Sequence, residues 1–377
     1  HGYPRWPEGP RQRLGHRPAA VTAQGPGEPT KPPLSALTTL RVGGAADSLV
    51  IAETEAELID AVATADAAGQ PATVLGGGSN VVVADAGLPG TVVVVRTRGI
   101  EVTTDACSGA WVRVAAGEPW DDLVARAVSE GWSGLEALSG IPGLTGGTPI
   151  QNVGAYGQEV ADTIARVTAY DRVTRRLAVL ASGDCRFGYR SSHFKSDPSR
   201  YVVVSVEFQL RLGDLSAPVG YAELADRLGV AVGERAPAPE VRAAVLELRR
   251  GKGMVLDAAD HDTWSVGSFF TNPVVPANAV PEGAPAWPAD APDTDADDPR
   301  LVKTSAAWLV ERAGFPRGYP EGGAARLSTK HTLAITNRGD ATAGDVMALA
   351  RSIRDGVRDR FGIPLVPEPV LLGCTLD

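Results

Sequence analysis

Apolar and polar positions alternate in three different ways along the 377 residues, and each change of pattern marks a unit. Residues 1–33 carry eight prolines, five glycines and five basic side chains with no apolar period. Such a stretch cannot bury enough surface to offset its ordering entropy, so a solvated, disordered tail is expected. From Leu34 the pattern tightens. Ser48–Ala52 reads as a strand, and Thr54-x-x-Glu57 forms a capping box ahead of Leu58, Ile59 and Val62, which start a helix that Gly69 ends. Ala72–Leu75 is a short strand running into Gly76–Asn80 (GGGSN), followed by the β-branched runs Val81–Val83 and Thr91–Val95.

A second unit opens with a strand over Trp111–Ala115. A helix follows from about Asp121 to Glu130, its Leu123, Val124, Ala127 and Val128 sharing a face and Gly131 closing it. After a glycine-rich stretch, Ile164–Asp171, Arg176–Leu180 and Tyr201–Leu212 read as sheet strands, which makes the chain α+β rather than strictly alternating. Beyond residue 215 helices are expected near Ala238–Arg250, Ser305–Ala313 and Ala343–Phe361. The last has the firmest signature: Val346, Leu349, Ala350, Ile353, Val357 and Phe361 recur at helical spacing behind Thr342 as a cap. Between the first two, 276–300 holds six prolines and an acidic cluster from Asp290 to Asp298, and reads as an exposed insertion. The expected division is a tail (1–33), two α/β subdomains (34–100 and 101–214) and a third region (215–377).

Charge and cysteine content narrow the function classes. A formal net charge of -9 argues against a general grip on nucleic acid, which needs clustered Lys and Arg. Cys107, Cys185 and Cys374 are few, widely spaced and odd in number, which fits a reducing compartment better than a disulfide framework. The histidines show no paired-ligand spacing, so no metal site is expected. No apolar run approaches the roughly 18 residues of a membrane span, and a soluble, cytoplasmic protein is the expectation.

The glycines carry the first chemistry. Gly76–Asn80 follows a strand and is suited to wrapping backbone N–H groups around a phosphate, though it is neither a Walker loop nor a GxGxxG turn opening a helix. Ser139-Gly140-Ile141-Pro142-Gly143 then runs through Thr145-Gly146-Gly147 to Gln151–Gly157 (QNVGAYG), with six glycines in 19 residues. A stretch with so few side chains presents backbone dipoles, which suits a large ligand combining a pyrophosphate with a flat ring.

These residues resemble the UDP-N-acetylenolpyruvoylglucosamine reductase family. The resemblance is ordered along Leu34–Gly373 and is carried by Thr38–Gly44 (TTLRVGG), Gly76–Asn80, Ser139–Gly147 (SGIPGLTGG), Gln151–Gly157, Cys185–Lys195 (CRFGYRSSHFK), Gly267–Pro273 (GSFFTNP), Ala306–Phe315 (AAWLVERAGF) and Leu365–Gly373 (LVPEPVLLG). It implies a two-subdomain FAD-binding unit of the vanillyl-alcohol-oxidase-like (PCMH-type) class and a C-terminal α+β substrate domain whose last segment returns to the active site. The cofactor is non-covalent FAD and the co-substrate NADPH, in a ping-pong cycle. The substrate is UDP-N-acetylglucosamine enolpyruvate, with neither nucleic acid nor membrane insertion involved, and a monomer is expected.

Cofactor binding is carried over to Arg41, Gly43, Gly76, Gly77, Gly78, Ser79, Asn80, Ser139, Gly140, Gly143, Gly146, Gly147, Gln151, Asn152, Gly154, Ala155 and Tyr156. Substrate binding is carried over to Tyr189, Tyr221, Lys252 and Asn272, with Tyr221 (YAEL) resembling the tyrosine loop of one family subtype. Two positions depart from the family pattern: Ser191 follows Tyr189-Arg190 where an acidic residue is common, and Lys330–Asn337 (KHTLAITN) is a loose version of its counterpart.

The implied chemistry needs a hydride donor that no side chain provides, so a cofactor must carry that step. Hydride addition to the terminal methylene leaves negative charge beside the carboxylate, where the planar fork of Arg190 would stabilise it. Ser268 matches the proton donor and Glu368 the catalytic glutamate, which either polarises the carboxylate or holds the donor's proton network. Two alternatives stay open: a flavin-dependent sugar or alcohol oxidase, which would turn over without NADPH, and a non-catalytic sugar-nucleotide-binding paralogue.

Overall fold

The computed structural model describes residues 32–289 and 301–377. The predicted tail therefore lies outside the described residues up to 31, and Pro33 already bridges Ala45. The first unit is a parallel three-stranded sheet in the order β1 (Ala46–Ala52), β4 (Leu88–Val95), β2 (Ala72–Leu75), with α1 (Glu55–Ala67) linking β1 to β2. The capping box forms as expected: Thr54 accepts from the Glu57 N–H and the Glu57 carboxylate accepts from the Thr54 N–H. Period-two alternation in β4 gives the sheet two apolar faces. Val92 and Val94 pack with Leu34 and Leu75, while Val93 and Val95 pack with Leu58 and Val62 of α1 against the second unit.

That second unit is an antiparallel sheet ordered β8 (Arg176–Ala181), β7 (Ile164–Asp171), β9 (Tyr201–Leu212), β6 (Gly109–Ala115), β5 (Ile100–Asp105). Helix α2 (Trp120–Ser129) lies in its core, where Trp120, Val112, Val206 and Phe208 are fully buried. Helices α3 (Ala222–Leu228) and α4 (Ala238–Gly251) follow and form a separate apolar cluster around Leu224, Val241 and Val245 that rests on Ala137 of the second unit.

The C-terminal core gathers α5 (Ala306–Arg312) and α6 (Ala343–Phe361) around Phe269, Phe270, Leu309, Ile335, Val346 and Ile353, and draws in Leu40, Val42 and Val82 from the first unit. Burying each large side chain of α6 contributes roughly 1.5–3 kcal/mol relative to leaving it in water. Asp85, from the loop after the Val81–Val83 strand (β3), accepts from the Ala343 and Gly344 N–H groups at 2.8 and 2.9 Å, so the first unit caps the long helix of the last. The predicted insertion is ordered in part: Ala286–Pro288 and Val274–Pro276 flank Leu301–Thr304 in a three-stranded antiparallel sheet. Pro276 and Pro288 each end one of the two flanking strands, where a missing N–H is tolerated. Residues 290–300, with the acidic cluster, lie outside the described residues. No helix among the described residues is long and apolar enough to cross a membrane.

The last strand, β10 (Val370–Leu372), runs parallel to β3 and returns the chain end to the first unit.

Candidate active site

Two glycine loops meet in the middle of the molecule. Gly77 backs onto Gly143 so closely that a Cβ would lie 2.8 Å from its Cα, and Ser79 Oγ donates to the Pro142 carbonyl at 3.0 Å. Gly78, at φ +62°, leaves no room for a side chain because a Cβ would stand 2.1 Å from the Leu37 carbonyl. The opposite edge is open: a Cβ at Gly147 would meet nothing within 4 Å, and one at Gly76 only Leu144 Cδ1 at 3.8 Å. A cradle closed behind and open in front fits a bulky cofactor approaching backbone. Gly43 and Gly146 pack instead against Val83 and Ala116, and the Gly140 N–H is taken by Asp121 Oδ1 at 2.6 Å. Ser139 is fully buried and donates to the Glu136 carbonyl at 2.6 Å. These four shape the cradle from behind.

From the cradle a polar chain leads to the candidate catalytic pair. Asn80 Nδ2 donates to Gln151 Oε1 at 2.5 Å, Gln151 Nε2 donates to Glu368 Oε1 at 2.7 Å, and Arg190 Nε donates to that same oxygen at 3.2 Å. Arg190 also reaches the Gly154 carbonyl at 2.8 Å and the Asn152 carbonyl at 3.4 Å. Its backbone is unusual. Gly188 and Ser191 exchange both backbone hydrogen bonds around a two-residue tip, Tyr189-Arg190, and Arg190 takes φ +53°. Buried Asn152 clamps this tip from one side by donating to the Gly188 carbonyl at 2.9 Å, and Lys195 Nζ clamps it from the other by donating to the Arg190 carbonyl at 2.9 Å. Asn152 is thus spent on scaffolding.

Burial raises the Glu368 carboxyl above the usual range, and the Arg190 and Lys195 charges only partly offset that. Burial likewise holds the Lys195 ammonium below its usual range and raises the Tyr189 phenol. Tyr189 accepts from the Asn272 N–H, and Lys303 Nζ sits 4.3 Å from its ring centre. Asn272 Oδ1 accepts from the Ala306 N–H at 3.0 Å, leaving its amide N–H groups to donate.

Ser268 is delivered from the C-terminal core. The Glu368 N–H bonds to the Phe269 carbonyl at 2.9 Å and the Thr271 N–H to the Val366 carbonyl at 3.1 Å, so the segments bearing Ser268 and Glu368 run side by side. The Val370 N–H then bonds the Asn80 carbonyl at 2.9 Å, fastening both to the cradle. Ser268 Oγ stands 3.4 Å from His331 Nε2, whose imidazole burial and the Lys252, Arg249 and Arg317 charges depress to about 4.

On a further side, Tyr156 and Tyr221 meet edge to face at 5.7 Å, and Lys252 lies 5.6 Å from the Tyr156 ring centre while pairing with Glu223 at 2.5 Å. Ala155 pairs with Gln158 in a short hairpin behind Tyr156. Arg41 is exposed and stacks on Trp264, 3.6 Å from its ring centre. Sequence reasoning missed Lys195, Lys303 and His331. Lys195 ends the Cys185–Lys195 block and His331 sits in the loosely matching Lys330–Asn337 segment, so both had a local signal; Lys303 had none.

Among proteins of known family, residues 46–180 match the FAD binding domain and residues 259–372 match the UDP-N-acetylenolpyruvoylglucosamine reductase C-terminal domain. UDP-N-acetylenolpyruvoylglucosamine reductase of Cutibacterium acnes is 56% identical over 346 residues, covering 91% of this chain and 90% of its own. That of Salinispora arenicola is 55% identical over 354 residues, covering 91% and 95%. The crystal structure of the Thermus caldophilus enzyme superposes with a TM-score of 0.60 at 28% identity, covering 90% of this chain and 97% of that one.

Proposed function

The chain belongs to the UDP-N-acetylenolpyruvoylglucosamine reductase family, and from that premise we propose that it reduces UDP-N-acetylglucosamine enolpyruvate to UDP-N-acetylmuramate, with Arg190, Ser268 and Glu368 as its catalytic residues. Bound FAD supplies the hydride, renewed by NADPH. The observation that carries the reading is the continuous polar path Asn80–Gln151–Glu368–Arg190, which ties a cofactor-shaped glycine cradle to a carboxylate-binding arginine.

Hydride arriving at the terminal methylene drives negative charge onto the neighbouring carbon and its carboxylate. Arg190 is fixed before this happens, held by the Gly154 carbonyl and Glu368, so its charge meets the developing anion with little reorganisation. Glu368 is the less expected neighbour for a carboxylate. Burial raises its carboxyl and the Arg190 and Lys195 charges offset part of that, so it repels an arriving carboxylate less than an ordinary glutamate would. Ser268 Oγ then gives its proton to the carbanion, and the adjoining backbone of Phe269 and Glu368 keeps donor and carboxylate clamp in register.

Lys252, Tyr221 and Asn272 take the diphosphate side. The Lys252–Glu223 pair is open to solvent at 38% and 40% exposure, so an arriving phosphate can displace Glu223 cheaply. The reading carries a cytoplasmic location with its two nucleotide reactants.

Ser268→Ala is the direct test of the proton step. Flavin reduction by NADPH should proceed at the parental rate while reoxidation by the sugar nucleotide slows by roughly 10²–10⁴-fold, the range of a lost general acid. An unchanged reoxidation rate would remove Ser268 from the mechanism.

A further inference from the structure

Arg190 holds a left-handed backbone, φ +53°, which an L side chain keeps only where its surroundings impose it. One of those surroundings, Asn152, is itself left-handed at φ +45° and fully buried, and its amide has no spare capacity. The two Nδ2 protons go to the Gly188 carbonyl at 2.9 Å and to Glu159 Oε2 at 2.6 Å, while Oδ1 accepts from the Ala161 N–H at 3.2 Å. The Asn152 carbonyl in turn accepts from Arg190 Nη1 at 3.4 Å. Asn152 therefore meets the Tyr189-Arg190 tip at one end and Glu159 at the other. A buried amide donor left without an acceptor is unfavourable, so the carboxylate fixes which way the amide points.

Glu159 also bears on the arginine from a second direction. It pairs across a short hairpin with Gly154, whose carbonyl accepts from Arg190 Nη2 at 2.8 Å. A Cβ built on Gly154 would stand 3.0 Å from Arg190 Nη1 and 3.0 Å from Glu159 Cγ, so glycine is what lets the guanidinium and the glutamate close over the same residue. The Glu159 N–H is taken by Asp162 Oδ2 at 3.0 Å, which holds its backbone still. The side chain is half-buried. Burial raises its carboxyl, and the Asn152 bond together with the Arg190 and Lys303 charges offsets part of that.

We infer that Glu159 is a positioning residue: as the acceptor that orients Asn152, it keeps the Tyr189-Arg190 tip in the left-handed conformation that presents the Arg190 guanidinium to the substrate carboxylate. It acts through Asn152 rather than on the reacting atoms. What it supplies is a hydrogen-bond acceptor, so glutamine can stand in for it and alanine cannot. The inference rests on the reading of Arg190 as the group that meets the charge developing beside the enolpyruvyl carboxylate.

The test compares Glu159→Ala and Glu159→Gln as holoenzymes, with the two half-reactions separated by rapid mixing. In Glu159→Ala, reduction by NADPH should stay within about threefold of the parental rate while reoxidation by the sugar nucleotide slows by roughly tenfold or more. Glu159→Gln should hold both rates within about threefold of the parent. Parental reoxidation in Glu159→Ala overturns the inference. Equal slowing of both half-reactions also overturns it, since a glutamate that only stabilises the turn at Val160–Asp162 would act on both. So does a Glu159→Gln as slow in reoxidation as Glu159→Ala, because charge rather than an acceptor would then be at work. Should Glu159→Ala not fold, Glu159→Asp decides: one methylene shorter, its carboxylate falls short of Asn152, and reoxidation alone should slow severalfold, whereas parental reoxidation overturns the inference. The parent and Arg190→Met measured alongside separate the two levels. A parental flavin that the sugar nucleotide does not reoxidise, or an Arg190→Met that reoxidises at the parental rate, would strike the proposed function instead.

Discussion

Replacing Arg190 with Met removes the guanidinium while keeping much of the side chain's length. The structure sets the size of the effect. Three contacts disappear, to Glu368 at 3.2 Å, to the Gly154 carbonyl at 2.8 Å and to the Asn152 carbonyl at 3.4 Å. Folding should suffer by about 1–3 kcal/mol, the usual loss for charge-assisted bonds, because Glu368 keeps its Gln151 partner and can take up a proton. Catalysis should suffer more: one preorganised donor aimed at developing charge is worth about 10²–10³ in rate, or roughly 3–4 kcal/mol. Rapid mixing separates the half-reactions. Reduction by NADPH involves no enolpyruvyl carboxylate and should stay within about threefold of the parental rate, whereas reoxidation by the sugar nucleotide should fall by the full factor. Arg190→Lys should fall between, since an ammonium cannot hold the Gly154 carbonyl, Glu368 and a carboxylate together. Equal loss in both half-reactions, or no loss in reoxidation, would refute the assignment of Arg190 to the developing charge.

Two further predictions concern the scaffold. Asp85→Ala strips both acceptors from the start of α6 and should lower stability by about 1–2 kcal/mol in denaturant unfolding, with Asp85→Asn recovering part of it; an unchanged midpoint would mean the cap contributes nothing. His331 is depressed in the folded state to about 4 from 6.5, so its contribution to stability is complete above pH 6.5 and is lost as pH falls through 4. The stability of His331→Gln relative to the parent should therefore rise by about 3 kcal/mol between pH 7.5 and 4, and a pH-independent difference would contradict the buried neutral imidazole.

Where an element owed its form to its own residues, the chain announced it. Ile164–Asp171 and Tyr201–Leu212 are β-branched runs buried on the sheet, and Ala343–Phe361 repeats its apolar face with a cap at its start, so their limits were readable. β5 was not, because only Ile100 and Val102 are partly covered and an exposed edge strand has no apolar face to display. Helix α3 buries only Leu224 and Ala225, too few to set up a period. The β3–β10 pairing joins positions nearly 300 residues apart, and nothing local encodes it. The same limit applied to the site. Resemblance named Arg190, Ser268 and Glu368 one by one, but the route through Gln151 and the clamp by Lys195 depend on which segments meet, and spacing along the chain is silent about that.

The central claim is that one cofactor accepts electrons from NADPH and passes them to the enolpyruvyl sugar nucleotide. The most direct measurement follows the visible flavin absorbance of the holoenzyme without oxygen, adding NADPH and then UDP-N-acetylglucosamine enolpyruvate. The account predicts that the flavin band collapses on the first addition and returns on the second, in step with formation of UDP-N-acetylmuramate. A band that collapses and stays lost after the sugar nucleotide is added would contradict the account.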